Sequence, residues 1–97
     1  MKIPKKITIQ GCEIPIKQCT AKELQQEDRI TVGEFNFEKA CIRMLGALDN
    51  STKSQILIHE IVEALNWYGD LEMEHIQIGA LSAMLHQVLT DNNLLKE

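Results

Sequence analysis

The residues that could do chemistry stand in one apolar run, Ile56-Leu57-Ile58-His59-Glu60-Ile61-Val62-Glu63-Ala64-Leu65. On a helix, His59 and Glu63 are four apart and lie one turn above each other. Glu60 occupies the neighbouring stripe. Imidazole nitrogen and carboxylate oxygen are both zinc ligands. In an H-E-x-x-H string, two ligands one turn apart grip a single ion, and the Glu between them is placed to take a proton from water. Here the last place is a glutamate, giving H-E-x-x-E. Glu63 keeps the ligand geometry, but a second histidine must come from elsewhere if the set is His2Glu. The chain has three histidines. His75 opens the segment that follows, close to the edge of its apolar face. His86 lies eleven residues further on, roughly 16 Å along a helix, so His75 and His86 do not share an ion.

These residues need elements to hold them. Thr52-Lys53-Ser54-Gln55 has capping-box spacing and predicts a helix from there to Tyr68, stopped by Gly69. Ile58, Ile61, Val62, Leu65 and Tyr68 fall on one face, which must pack on other elements. Ile56 and Trp67 lie on the side of His59 and Glu63, so the polar trio is expected to be framed by apolar groups and partly buried. Buried carboxylates and imidazoles need partners, and a metal ion is one such partner. A second helix is expected over residues 74–90, with Ile78, Leu81, Met84, Leu85, Val88 and Leu89 at helical spacing. A short connection makes the two an antiparallel pair, with His75 reaching back toward His59.

Upstream the period changes to two. Lys6-Ile7-Thr8-Ile9-Gln10 and Glu13-Ile14-Pro15-Ile16-Lys17 alternate as half-buried strands do, joined through Gly11-Cys12. Pro15 argues for an edge or an irregularity in the second strand. Thr20-Ala21-Lys22-Glu23 fits a capping box at the start of a polar, helix-tolerant stretch that runs to Asp28. Arg29 to Phe35 reads as a third strand and Ala40 to Leu45 as a fourth. Strands followed by helices indicate a single α+β domain, a small antiparallel or mixed sheet of three or four strands with two long helices on one face.

Composition narrows the function classes. A net charge of −4 argues against phosphate backbones as a partner, which need clustered Lys and Arg. No apolar run reaches the roughly 18 residues that suggest a membrane span, and the start of the chain has no signal-peptide pattern. Cys12, Cys19 and Cys41 match no paired zinc spacing and read as free thiols of a cytoplasmic protein.

From His59 onward the chain resembles small phage- and prophage-encoded zincin-like proteins. The likeness is carried by residues 57–66, by His75-Ile76-Gln77-Ile78 with Leu81, and by residues 87–92. Gly33-Glu34-Phe35 and Ile42-Arg43-Met44 resemble the strand pair that precedes the active helix in that group. The resemblance implies metal, zinc or another divalent ion, held by His59, Glu63 and His75, with Glu60 as general base of a hydrolase acting on a protein or peptide. Glu63 departs from the H-E-x-x-H pattern of the larger peptidases, so two further readings stay open. One is a non-catalytic phage protein that keeps the scaffold to bind and inhibit a host or defence protein. The other is a regulatory partner of a DNA-binding protein. If the chain is phage-encoded, the cytoplasm in which it is expected is that of the host cell.

Overall fold

The structure, a computed structural model, describes residues 1–26 and 29–95. It begins with a hairpin. β1 (Lys6–Ile9) and β2 (Cys12–Cys19) run antiparallel, with Ile9 opposite Cys12. A tight two-residue loop of this kind needs positive φ at both positions. Gln10 takes φ 50° and Gly11 takes 82°. The junction is therefore Gln10-Gly11, one residue earlier than the pattern suggests, and Cys12 already belongs to β2.

Pro15 does not put β2 at an edge. The sheet order is β1-β2-β6-β5, so β2 is internal. The first half of β2 pairs with β1, and parallel pairing with β6 (Cys41–Leu45) begins only at Ile16, opposite Ile42. Pro15 sits one residue before that second ladder, where its missing N–H removes no bond from it. α1 (Ala21–Leu24) is a single turn. The Thr20 hydroxyl accepts the Glu23 N–H at 3.3 Å, and the Glu23 carboxylate accepts the Thr20 N–H at 2.8 Å. The continuation of this polar stretch to Asp28 lies partly outside the described residues. The strand expected over Arg29–Phe35 is divided. β4 (Arg29–Ile30) pairs with β3 (Gln25–Gln26), the chain bends at Thr31-Val32, and β5 (Gly33–Asn36) then pairs antiparallel with β6. The result is an α+β fold with a four-stranded mixed sheet.

α2 (Asn50–Gly69) is 20 residues long and starts earlier than its sequence signature. The cap is Asp49, whose carboxylate accepts both the Thr52 N–H and the Thr52 hydroxyl proton. Thr52 serves the cap from inside the first turn. At the other end the left-handed residue is Asp70, at φ 49°, and not Gly69. A Cβ on Gly69 would stand 3.2 Å from the side chain of Leu71, which is exposed and can give way.

α2 lies on the sheet, contacting β5 and β6. Its Leu57 and Ala64 join Ile9, Ile14, Ile16, Ile42 and Met44 in one core, with Ile61 and Tyr68 at its margin. Ile58 and Val62 are buried outside that core, and Leu65 is exposed. The expected single face is therefore split, because α2 has two packing partners, the sheet and α3 (His75–Asp91). The end of α3 returns to the start of α2: Ser51 and Ser54 share a hollow of ≈260 Å³ with His86 and Thr90. The layers thus run sheet, α2, α3, and α3 packs mainly on α2 instead of covering the sheet. That leaves Leu81, Met84, Leu85 and Val88 of its apolar row exposed; only Ile78 and Ser82 are buried on this helix. Among the described residues no helix is long and apolar enough to cross a membrane.

Candidate functional site

The three residues predicted as ligands come together. His59 Nε2 stands 3.7 Å from Glu63 Oε1, and His75 Nδ1 stands 3.7 Å from the same oxygen. The two imidazole rings lie 6.2 Å apart, centre to centre, in an edge-on arrangement. Helix periodicity supplies the first contact, one turn of α2. The second depends on the connection between the helices. Asn66 Oδ1 accepts the Met73 N–H at 2.9 Å, and the Asn66 carbonyl accepts the Leu71 N–H at 3.1 Å. At the start of α3 the Glu74 N–H donates to the Gln77 side-chain oxygen at 2.8 Å. His75 is the first residue of α3, so these bonds set where it stands. The connection also holds two non-glycine residues at positive φ, Asp70 and Glu72, a conformation it keeps only because its surroundings impose it.

Both separations of 3.7 Å are too long for hydrogen bonds. They lie slightly above the ~3.3 Å between neighbouring ligand atoms around a tetrahedral zinc with bonds of about 2.0–2.1 Å. Among the described residues no three metal-ligating side chains stand closed around an ion position. The donor types fit a metal, since two imidazole nitrogens and a carboxylate make a known zinc set. Side-chain exposure orders the parts: Glu63 is 29% exposed, His59 31% and His75 89%. Two candidate ligands are half-buried on α2, and the third reaches in from solvent.

Glu60 is the buried member of the group, at 7% exposure. Burial and the nearby Glu63 and Glu34 carboxylates push its carboxyl up to about 7, while the Phe35 N–H donated to it works in the opposite direction. Loss of solvation disfavours the charged form, and neighbouring like charge adds to it. Glu34 itself is engaged in an ion pair with Arg43 across β5 and β6. A carboxyl that titrates near neutrality is poised for proton transfer in either direction.

Several contributors escape the motif. Gly33 begins β5 directly against α2: a Cβ there would meet Ile56 Cγ2 at 2.5 Å and a Glu60 oxygen at 3.3 Å. Only glycine lets the strand approach this closely; in the sequence it is a glycine inside the strand expected over Arg29–Phe35. β5 is an edge strand, and its Phe35 N–H serves Glu60 instead of a neighbouring strand. A cavity of ≈500 Å³ opens beside His59 and Glu60, lined also by Thr31, Val32, Gly33, Gln55 and Ile56; Glu63 and His75 do not line it. His86 lies at the far end of α3 and takes no part. Cys12 is exposed, Cys19 half-buried and Cys41 buried, all as free thiols.

No protein-family model, no curated protein and no solved structure matches the chain.

Proposed function

We propose that the protein is a metal-dependent hydrolase of protein or peptide substrates, with His59, Glu63 and His75 as the ligands of a zinc or other divalent ion. One observation carries the reading: imidazole nitrogens from two different helices face a single carboxylate oxygen at equal distances too long for hydrogen bonds. When bound, such an ion supplies Lewis-acid activation of a carbonyl and of water. Glu60 is the general base. It is buried beside the ligands, and its carboxyl, poised near neutrality, can take a proton from water and pass it to a leaving amine. The cavity lined by His59 and Glu60 offers a substrate a place to lie. The phage-type zincin-like resemblance and a location in the host cytoplasm belong to the same proposal. Cleavage of a denatured protein substrate, with zinc supplied, tests it. Wild-type protein cuts, while Glu60→Gln loses activity by two orders of magnitude or more and keeps its fold and its metal. Equal activity of Glu60→Gln and wild type would remove Glu60 as the base.

A second reading has its own support. Leu81, Met84, Leu85 and Val88 leave an uncharged apolar row on the surface of α3, and exposed patches of that kind commonly mark protein-binding faces. In this reading the scaffold binds a host or defence protein, or a DNA-binding regulator, without cutting it. Met84→Glu then abolishes partner binding, and Glu60→Gln does not.

A further inference from the structure

The outer face of the sheet, turned away from α2, carries a second cluster. Ile16, Ile42 and Met44 belong to the core, so the alternate residues of β2 and β6 point outward. Lys17 stands opposite Arg43 in the parallel ladder, and Asn36 of β5 stands opposite Cys41. Cys19 follows two residues after Lys17, and Lys39 lies in the turn just before Cys41. These six residues line a hollow of ≈210 Å³. Three of them are cations, in a chain of net charge −4. Arg43 is held by the Glu34 carboxylate and the Glu23 carbonyl. Lys17 and Lys39 are exposed, and neither ammonium has a carboxylate partner among the described residues. One carboxylate shares the lining, that of Glu23, and it accepts the Thr20 N–H. Of the two thiols, Cys41 is buried, whereas Cys19 is half-buried with its Sγ at the surface, 3.8 Å from the Lys17 carbonyl. Cys19 pairs with Leu45, four residues along β6 from Cys41, so the two thiols belong to positions at least ~13 Å apart. A disulfide bridges Cα atoms no more than about 7 Å apart. The thiols therefore mark opposite ends of the hollow, with Lys17 and Arg43 between them.

We infer that this hollow is a covalent docking site for an anionic low-molecular-weight thiol of the glutathione class, which enters as its disulfide and stays joined to Cys19. A partly exposed thiol in electropositive surroundings is the kind that reacts. The carboxylates of the incoming disulfide lie on Lys17, Lys39 and Arg43. The Cys19 proton goes to solvent, and the Cys19 sulfur attacks the nearer sulfur of the disulfide. A new sulfur–sulfur bond forms at Cys19, the bond within the reagent breaks, and the other half leaves as a thiolate that takes a proton from water. Cys19 is oxidised and the departing half is reduced, so the disulfide is the only oxidant the step needs. Cys41 is out of reach, and Cys12 lies at the far end of β2, so no thiol of the same chain displaces the adduct. The hollow is on the opposite side of the sheet from His59, Glu60 and Glu63, and the inference does not depend on a metal.

The test exposes the whole reduced chain, in separate reactions, to glutathione disulfide, which is anionic, and to cystamine, which is cationic. Mass spectrometry of non-reduced peptides follows the adducts at Cys12 and Cys19. Cys12 is exposed and is the reference, since the ratio of the two rates there cancels the intrinsic difference between the reagents. The glutathione-to-cystamine rate ratio at Cys19 is expected to be about tenfold the ratio at Cys12, the effect of opposite reagent charges meeting cations a few ångströms away. Salt at about 0.5 M should compress that difference. Replacing both exposed lysines, Lys17→Gln with Lys39→Gln, should bring the Cys19 ratio to within about twofold of the Cys12 ratio. Equal ratios at the two cysteines in the unaltered chain overturn the inference. So does a preference that the double variant leaves intact, or the absence of a glutathione adduct at Cys19.

Discussion

Glu60 concentrates the energetics of the site in one residue. Its carboxyl titrates near 7 when folded against an ordinary value of 4.5. The folded state therefore holds a proton that the unfolded chain releases, so stability is fully present below about 4.5 and falls as pH rises through 7. The shift from 4.5 to about 7 amounts to ~3.5 kcal/mol at most, at about 1.4 kcal/mol for each pH unit. Denaturant unfolding of metal-free protein at pH 4.5 and pH 8 should show that loss. Glu60→Gln should abolish the slope and be the more stable protein at pH 8. A slope that persists in Glu60→Gln would place the proton elsewhere. Gly33→Ala acts on the same residue from the strand side. Its new methyl must displace Ile56 and the Glu60 carboxyl, at a cost of about 1–3 kcal/mol in thermal or denaturant unfolding.

The elements explain which parts of the site could be read directly. His59, Glu60 and Glu63 lie within one helix, where periodicity alone fixes their relation, and the H-E-x-x-E spacing carried them into the structure unchanged. Residue His75 was legible as a candidate, but its arrival depends on a connection shaped by Asn66 and by positive φ at Asp70 and Glu72, which no spacing announces. Asn66→Ala tests that dependence. It removes the bond to the Met73 N–H, costs about 1 kcal/mol of stability, and weakens metal binding without touching a ligand. Phe35 was not legible, since its role comes from an edge that exists only once β5 pairs with β6. Packing faces were misjudged for a related reason. Periodicity gives the stripe of a helix but not the number of its partners: α2 has two, which turned Leu65 outward, and α3 has mainly one, which exposed its apolar row. Hence Ile78→Ala should cost about 2–4 kcal/mol, whereas Met84→Glu should change stability by less than about 0.5 kcal/mol. Thermal unfolding of the two variants separates them.

At the scale of the whole molecule, 97 residues form one small core between a mixed sheet and α2, and α3 is fastened to the back of α2. The two sides of α2 do different work. The side on the sheet closes the core through Leu57 and Ala64 and carries Glu60 toward β5. The other presents His59 and Glu63 to the start of α3. A metal would tie α3 to α2 through His75, so metal binding and the stability of the helix pair are coupled in this account. The most direct measurement is therefore metal uptake by untagged protein: zinc content after dialysis, with the thermal midpoint followed in parallel, for wild type, His59→Ala and His75→Ala. About one zinc per chain is expected in the wild type. Zinc at 100 times Kd should stabilise by ~2.7 kcal/mol, which raises the midpoint by about 10–20 °C. Both variants should lose zinc and the shift together. Equal, sub-stoichiometric zinc in all three proteins, with no shift of the midpoint, would contradict it.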